Sequence, residues 1–345
     1  MKAAVFLGPG KMEVRDVPTP SPAPGEVLVK VLACAVCGTD LRIFQFGHHA
    51  ITPPHITGHE ICGVVEKLGV GVDGPPPGTK CVLVTSYGCG TCRFCRVGRS
   101  NLCSVNWRAI GYQSPGGFAQ YLSVPAPAVA QGAVLPIADS VDAAQATLVE
   151  PLSCVFNGQE FLRIGPGDSV LIFGAGPIGV MHGLLAKAMG AGCVMISELR
   201  PERLNAARKF GFTAYIGAED DAEKAVMKYT DGEGPDVAIT ACPSGEAQML
   251  ALKLVAAGGR VSLFGGLPKD HSSIQFDSNK VHYKEVGVFG AFASNSIQYL
   301  KCMKLIASGV VDVSGLVTHK FKLDRILEAF ETARASDALK VVVLP

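Results

Sequence analysis

The sequence predicts an α/β chain of two parts, a β-rich barrel-like domain and a doubly wound domain built on a parallel sheet. Residues 1–150 carry short runs of alternating Val, Leu and Ile bounded by Pro-Gly pairs, the signature of short strands with tight turns. From about 152 to 287, apolar runs of about five residues alternate with helical patterns of ten or more, as expected of a sheet covered on both faces. The chain has 345 residues, 48% of them hydrophobic, enough for about two cores at roughly 100–200 residues per domain.

In the first part the strand candidates are EVLVKVLACAVCG, EICGVVEKLG, TKCVLV and FAQYLSVPAPAV, with Pro75-Pro76-Pro77-Gly78 as a stiff loop. In the second part SVLIFG, CVMISE, DVAITAC and RVSLFGG read as strands. PIGVMHGLLAKAMG, PERLNAARKFG and EAQMLALKLVAAGG read as the helices between them. The remainder returns through a helix at 297–308 and ends in KVVVLP, a hydrophobic strand placed to rejoin the first domain. The expected boundaries are therefore 1–152 with 288–345 for one domain and 153–287 for the other.

Lysines and arginines number 31 against 30 acids, so a net charge of +1 gives no reason to expect nucleic acid or an acidic membrane surface as partner. A small molecule is the default ligand. The N-terminal apolar run is short, broken by Gly8-Pro9 and followed by no small-residue cleavage site, which points to a cytoplasmic protein. The most apolar window, LIFGAGPIGVMHGLLAKAMGAG, is interrupted by glycines, His182 and Lys187 and does not read as a membrane span.

In a reducing compartment the twelve cysteines are expected to be free of disulfides. Four of them, Cys89, Cys92, Cys95 and Cys103, follow the spacing C-x2-C-x2-C-x7-C in a glycine-rich loop, the donor set of a closed tetrahedral zinc site. Gly88 and Gly90 let the backbone turn around an ion, and Arg93, Arg96 and Arg99 are placed to offset its two net negative charges. An iron–sulfur cluster is the rival occupant, although no proline follows the fourth cysteine and no second cysteine set exists. A closed site of this kind is architectural, because it leaves no position for a reactant.

Gly174-Ala175-Gly176-Pro177-Ile178-Gly179 follows the strand VLIF directly and opens a helix. In that context Gly174 makes the tight turn, Gly176 admits a pyrophosphate to the helix N-terminus, and Gly179 lets the helix pack on the strand. Glu198 ends the next strand, where a carboxylate accepts from adenosine ribose hydroxyls and repels a 2′-phosphate, favouring NAD over NADP. Arg200 and Arg203 stand close by and keep some NADP use open. Cys37, in Cys37-Gly38-Thr39-Asp40, and His59, in Gly58-His59-Glu60, are two loop-borne donors able to hold a second zinc with an open position. A buried apolar thiol and a satisfied polar histidine are the plainer alternatives.

Taken in order, C-G-T-D, G-H-E, the four-cysteine lobe, Glu150-Pro151 and G-A-G-P-I-G resemble the zinc-dependent medium-chain dehydrogenase/reductase family over nearly the whole chain. Glu150-Pro151-Leu152 resembles its sorbitol (polyol) dehydrogenase branch; C-G-T-D also resembles threonine dehydrogenase. The resemblance implies a GroES-like catalytic domain, a Rossmann domain, two zinc ions per chain and NAD. It implies that Cys37 and His59 ligate catalytic zinc with Glu60 or Glu150 as a further ligand or as holder of the zinc-bound water, the choice being open. It implies structural zinc on Cys89, Cys92, Cys95 and Cys103. It also implies NAD contacts from Gly174, Gly176, Pro177, Ile178, Gly179, Glu198 and Arg203, a nicotinamide lined by Phe264-Gly265-Gly266 and Ala291-Phe292, and a homo-oligomer, dimer or tetramer.

Within that resemblance, Thr39 is placed to take the proton of the reacting hydroxyl, or else to cap the segment DLRIF. Related enzymes often carry a histidine three residues later; here it is Arg42, which stays protonated and cannot shuttle protons, leaving His48 and His49 as candidates. Ala293-Ser294 stands where sorbitol dehydrogenases tend to place a substrate-contacting arginine. The leading expectation is a secondary alcohol of a polyol, cyclitol or sugar derivative. L-Threonine or another amino-acid or short-chain alcohol is the alternative substrate, and a non-catalytic zinc- and nucleotide-binding protein the alternative class.

Overall fold

The computed structural model describes residues 1–335 and 338–345, which divide into two compact units, Met1–Ser153 with Ala293–Pro345, and Cys154–Phe292. Among the described residues no helix is long and apolar enough to cross a membrane.

The first unit is organised by the strand Val27–Ala35, nearly all of it buried. It pairs antiparallel with Glu60–Leu68, with Tyr121–Val124 and with Lys340–Leu344, so residues far apart in sequence share one sheet. The sheet continues through Lys80–Leu83 and Val134–Pro136 on one side and Val317–Lys322 on the other. A smaller sheet joins Lys11–Asp16, Lys2–Gly8 and His55–Ile56. KVVVLP thus rejoins the first unit as expected, through the register Val342↔Ala35. In FAQYLSVPAPAV only Tyr121–Val124 forms a strand; Ala126–Val129 turns helical, because prolines 125 and 127 have no N–H to give a ladder.

Register places the site. Ala35 stands opposite Glu60, so the chain leaving the central strand at Cys37 emerges beside His59 and Glu60 at the head of the neighbouring strand. On the other flank, the Val36 N–H donates to the Val341 carbonyl at 2.9 Å, which brings Lys340 to the same end of the sheet. Cys37 is then the N-cap of the helix Gly38–Phe46.

The second unit holds a six-stranded sheet whose pairs are all parallel, in the spatial order Ala214–Ile216, Cys193–Ser197, Ser169–Phe173, Val237–Thr240, Arg260–Leu263 and Gly287–Gly290. Gly287–Gly290 pairs with Arg260–Leu263, so the sheet reaches past residue 287 and the unit closes at Phe292. The strand order reverses between Ser169–Phe173 and Val237–Thr240, and ligands of such sheets bind outside the carboxyl ends at that reversal. The helix Pro177–Ala188 leaves Ser169–Phe173 there, with Pro177 in its first turn.

A Cβ on Gly179 would lie 1.8 Å from the Gly174 carbonyl oxygen, so helix and turn approach as closely as only glycine allows. Gly179→Ala should therefore lower unfolding stability by roughly 1–3 kcal/mol, as overpacking does. Chemical denaturation checks this; an unchanged midpoint would show that the turn yields without cost.

Candidate functional site

Ligand atoms of Cys37, His59 and Glu60 all lie within 4.8 Å of one another, with His59 and Glu60 buried and Cys37 half-buried. Sulfur, imidazole and carboxylate on three protein groups are the donor set of a zinc site that keeps a position open. Glu150 lies outside this group of three; it sits in the first turn of the helix Val149–Glu160, and its charge acts on both Tyr112 and Lys340.

Asp40 ties two of the three donors together. Its Oδ2 accepts from the Cys37 N–H at 2.9 Å, and its Oδ1 stands 3.5 Å from His59 Nδ1, an ion-pair distance that leaves the other ring nitrogen for a ligand. Glu60 is held from the opposite side, because the Lys340 ammonium donates to its Oε1 at 2.6 Å with both groups buried. Glu60 Oε2 is buried and has no partner among the described residues. An orphaned buried carboxylate oxygen beside a sulfur and an imidazole fits a cation, since an unpaired charge in a dry interior is otherwise strongly unfavourable.

The electrostatics agree. Burial alone would push the His59 imidazole down, but Asp40, Tyr112 and Cys37 together hold it well above its ordinary value. Burial would likewise lower Lys340, yet Glu60 and then Cys37 keep it raised. Around both groups the neighbouring acids and thiol favour the positively charged form.

Thr39 lies in the first turn of the helix that Cys37 caps, so the capping role expected for it falls to Cys37. Its hydroxyl oxygen accepts from the Arg42 guanidinium at 2.8 Å. His48 Nδ1 accepts from the Ala50 N–H at 3.2 Å; burial, His49 and Arg42 push its imidazole below the ordinary value, which makes it a poor proton acceptor. Ser294 is buried, and its hydroxyl lies 2.7 Å from that of Ser153.

In the four-cysteine lobe the sulfurs also fall within 4.8 Å of one another, with Cys92 3.5 Å from Cys95 and 3.9 Å from Cys103. Four thiolates around one ion at about 2.3 Å stand about 3.8 Å apart on a tetrahedron, which matches. An iron–sulfur cluster spreads its four thiolates over two or four irons, so that thiolates on different irons stand farther apart than four sulfurs all within 4.8 Å of one another. Main-chain N–H groups aim at the sulfurs: Cys92 to Cys89 at 3.3 Å, Cys89 to Cys103 at 3.3 Å and Asn106 to Cys103 at 3.4 Å. The Thr91 hydroxyl and the Thr91 and Cys92 amides draw the Cys89 thiol down to about 6, preparing it as a thiolate.

In the second unit, Gly174 turns at φ +107°, and the Cβ position of Gly176 has nothing nearer than Arg203 Nη1 at 3.9 Å. This is an open cradle at a helix N-terminus, of the kind that takes a pyrophosphate. Glu198 Oε2 accepts from the Ala175 N–H at 3.0 Å and Oε1 from the Arg200 N–H at 3.0 Å, fixing the carboxylate beside the turn with lone pairs remaining for hydroxyls. Ile178 is half-buried behind Pro177. Phe264-Gly265-Gly266 leaves the end of Arg260–Leu263, with Gly265 pinned by its N–H to the Thr240 carbonyl at 2.7 Å; Ala291 and Phe292 leave the end of the adjacent strand.

Asp40, Lys340 and Tyr112 escaped the sequence reading. Asp40 had a signal, an acid three residues after the cysteine that caps a helix. Lys340 had a fainter one, a lone charge heading a run of valines.

Comparison with known proteins places this geometry in context. Residues 23–136 match the family model of the alcohol dehydrogenase GroES-like domain, and residues 177–308 that of zinc-binding dehydrogenase. L-Threonine 3-dehydrogenase of Pyrococcus furiosus is 38% identical over 340 residues, covering 96% of this chain and 94% of the relative. Sorbitol dehydrogenase of Bacillus subtilis is 33% identical over 351 residues, covering 100% and 97%. A protein from Sinorhizobium meliloti 1021, solved with NADP bound, superposes with a TM-score of 0.92 at 31% identity, covering 100% of this chain and 99% of its own.

Lys340→Met should leave Glu60 buried without its cation and lower the stability of the metal-free protein by about 3–5 kcal/mol, measured by urea unfolding. Cys92→Ser should remove one equivalent of zinc and lower the thermal midpoint. Unchanged zinc content and midpoint would overturn the closed-site assignment.

Proposed function

The chain belongs to the zinc-dependent medium-chain dehydrogenases, and on that premise we propose that it transfers a hydride between NAD and a secondary alcohol of a polyol, cyclitol or sugar derivative. The observation that carries this reading is the group Cys37, His59 and Glu60 around an orphaned buried oxygen, with Asp40 and Lys340 fixing it.

Zinc in this group would act as a Lewis acid, lowering the pKa of an alcohol as it lowers that of water. Cys37, His59 and Glu60 are the residues to hold it, with Glu150 near enough to act on the same charges. Asp40 keeps the imidazole turned, and Lys340 holds the Glu60 carboxylate in place by donating to its Oε1. Thr39 accepts the hydrogen bond of the reacting hydroxyl, and Arg42 fixes its orientation by donating to Oγ1. The Arg42 guanidinium donates hydrogen bonds but does not give up a proton, so the proton leaves from Thr39 to solvent. The turn Gly174 to Gly179 seats the pyrophosphate, with Arg203 beside Gly176 to offset its charge. Glu198 supports NAD over NADP, because its carboxylate would repel a 2′-phosphate. The structural zinc falls to Cys89, Cys92, Cys95 and Cys103. A homo-oligomer, dimer or tetramer, completes the proposal.

L-Threonine is the second reading, favoured by relatives of that name at 37–38% identity. Zinc-loaded protein with NAD, offered pentitols, hexitols, inositols, sugar phosphates and L-threonine, should reduce NAD with a member of the polyol, cyclitol or sugar set, read as NADH absorbance. Turnover confined to L-threonine would replace the first reading by the second, and no turnover with two zinc ions bound would sink both.

A further inference from the structure

Tyr112 stands at the candidate metal group, and neither the motifs nor the mechanism above gives it a role. Its ring centroid is 5.5 Å from that of His59, 5.3 Å from His48 and 6.4 Å from Trp107. The charges of His59, Cys37 and Glu150 all act on its phenol. Although the residue is half-buried, its hydroxyl makes no hydrogen bond among the described residues. A phenol is protonated at neutral pH, so a donor is left available beside the ligand group.

The loop carrying it is fixed to the segment that presents His59. Gly111 turns at φ +86°, and a Cβ there would meet the Gly58 carbonyl oxygen at 2.7 Å; at Gly116 the same oxygen would be 2.2 Å away. The Gly117 N–H donates to that Gly58 carbonyl at 2.9 Å, the Gly116 N–H to Ile56 at 2.8 Å, and the Gly111 N–H to Ser114 at 2.8 Å. Backbone so closely packed holds Tyr112 in one place relative to His59, as a recognition group needs to be.

On the dehydrogenase reading the reacting oxygen would be met by the Cys37, His59 and Glu60 group and by the Thr39 hydroxyl, all from the segments at 37–39 and 59–60. Tyr112 stands on a different loop, with its ring 5.5 Å from that of His59, which leaves its donor for a second oxygen of a bound substrate. Resting on the dehydrogenase reading, we propose that Tyr112 is a specificity-determining residue whose hydroxyl donates to a hydroxyl on the carbon adjacent to the one oxidised, so that the site selects vicinal diols over isolated secondary alcohols. A site built to bond a substrate hydroxyl discriminates strongly against the analogue that lacks it, because the polar group is then left unpaired.

The test compares Tyr112→Phe with wild type on butane-2,3-diol and butan-2-ol, which share the carbinol and differ in the neighbouring hydroxyl. Binding of the diol to zinc-loaded protein, followed by the fluorescence of Trp107, the only tryptophan in the chain, gives a readout independent of turnover. The substitution should lower kcat/KM for the diol about tenfold or more and weaken its Kd similarly, while butan-2-ol stays within about twofold. Equal losses on both alcohols, or diol constants the substitution leaves unchanged, would overturn the role of Tyr112 and leave the functional reading standing. A wild-type protein that oxidises no alcohol at all would sink the functional reading, and this inference with it.

Discussion

Buried negative charge is the constraint on which the first unit turns. Asp40 and Glu60 are both almost wholly removed from solvent and stand beside the Cys37 thiol at one end of a sheet. Lys340 supplies one compensating cation, and Glu60 Oε2 is still left without a partner among the described residues. Replacing such groups by hydrocarbon would often be as stable or better, so their presence speaks for a function that needs them. A divalent ion is the simplest object that satisfies the sulfur, the imidazole and the orphaned oxygen together.

The second unit follows a different logic. Its site is made of missing atoms: Gly176 leaves a cradle open, Gly179 lets the helix touch the turn, and Gly265 lets a strand end pass against Cys242, whose carbonyl oxygen lies 2.3 Å from where a Cβ would be. Glu198 then closes the turn through the Ala175 and Arg200 amides, so the carboxylate we propose for the ribose is positioned before any ligand arrives. One unit prepares charge and the other prepares space.

Much of this was legible in the amino-acid order because its signals are local. The strand–turn–helix around Gly174 and the four cysteines between 89 and 103 each lie within one short segment, where spacing alone dictates geometry. C-G-T-D and G-H-E were legible as donors, but their meeting depends on the register of Ala35 with Glu60, a tertiary fact. Lys340 and Tyr112 were not legible, since a lysine before valines and a tyrosine in a glycine-rich loop acquire roles only when distant backbone delivers them. That Glu60, and not Glu150, groups with Cys37 and His59 is visible only from distances. The helical turn at Ala126–Val129 was lost among alternating apolar residues because proline, which bars a ladder, was counted as strand.

The pair Glu60–Lys340 joins positions separated by 280 residues. A ribosome makes the acid long before the base, and through that interval the nascent carboxylate has no ammonium to accompany it into the dry interior. It must stay hydrated until the late strand slides in beside Val27–Ala35. Assembly of the candidate metal group is thereby tied to the slowest kind of event in folding, the closing of a very long loop, and a shortened translation product lacking that strand would present an open, wet acid where the full-length chain holds a sealed one.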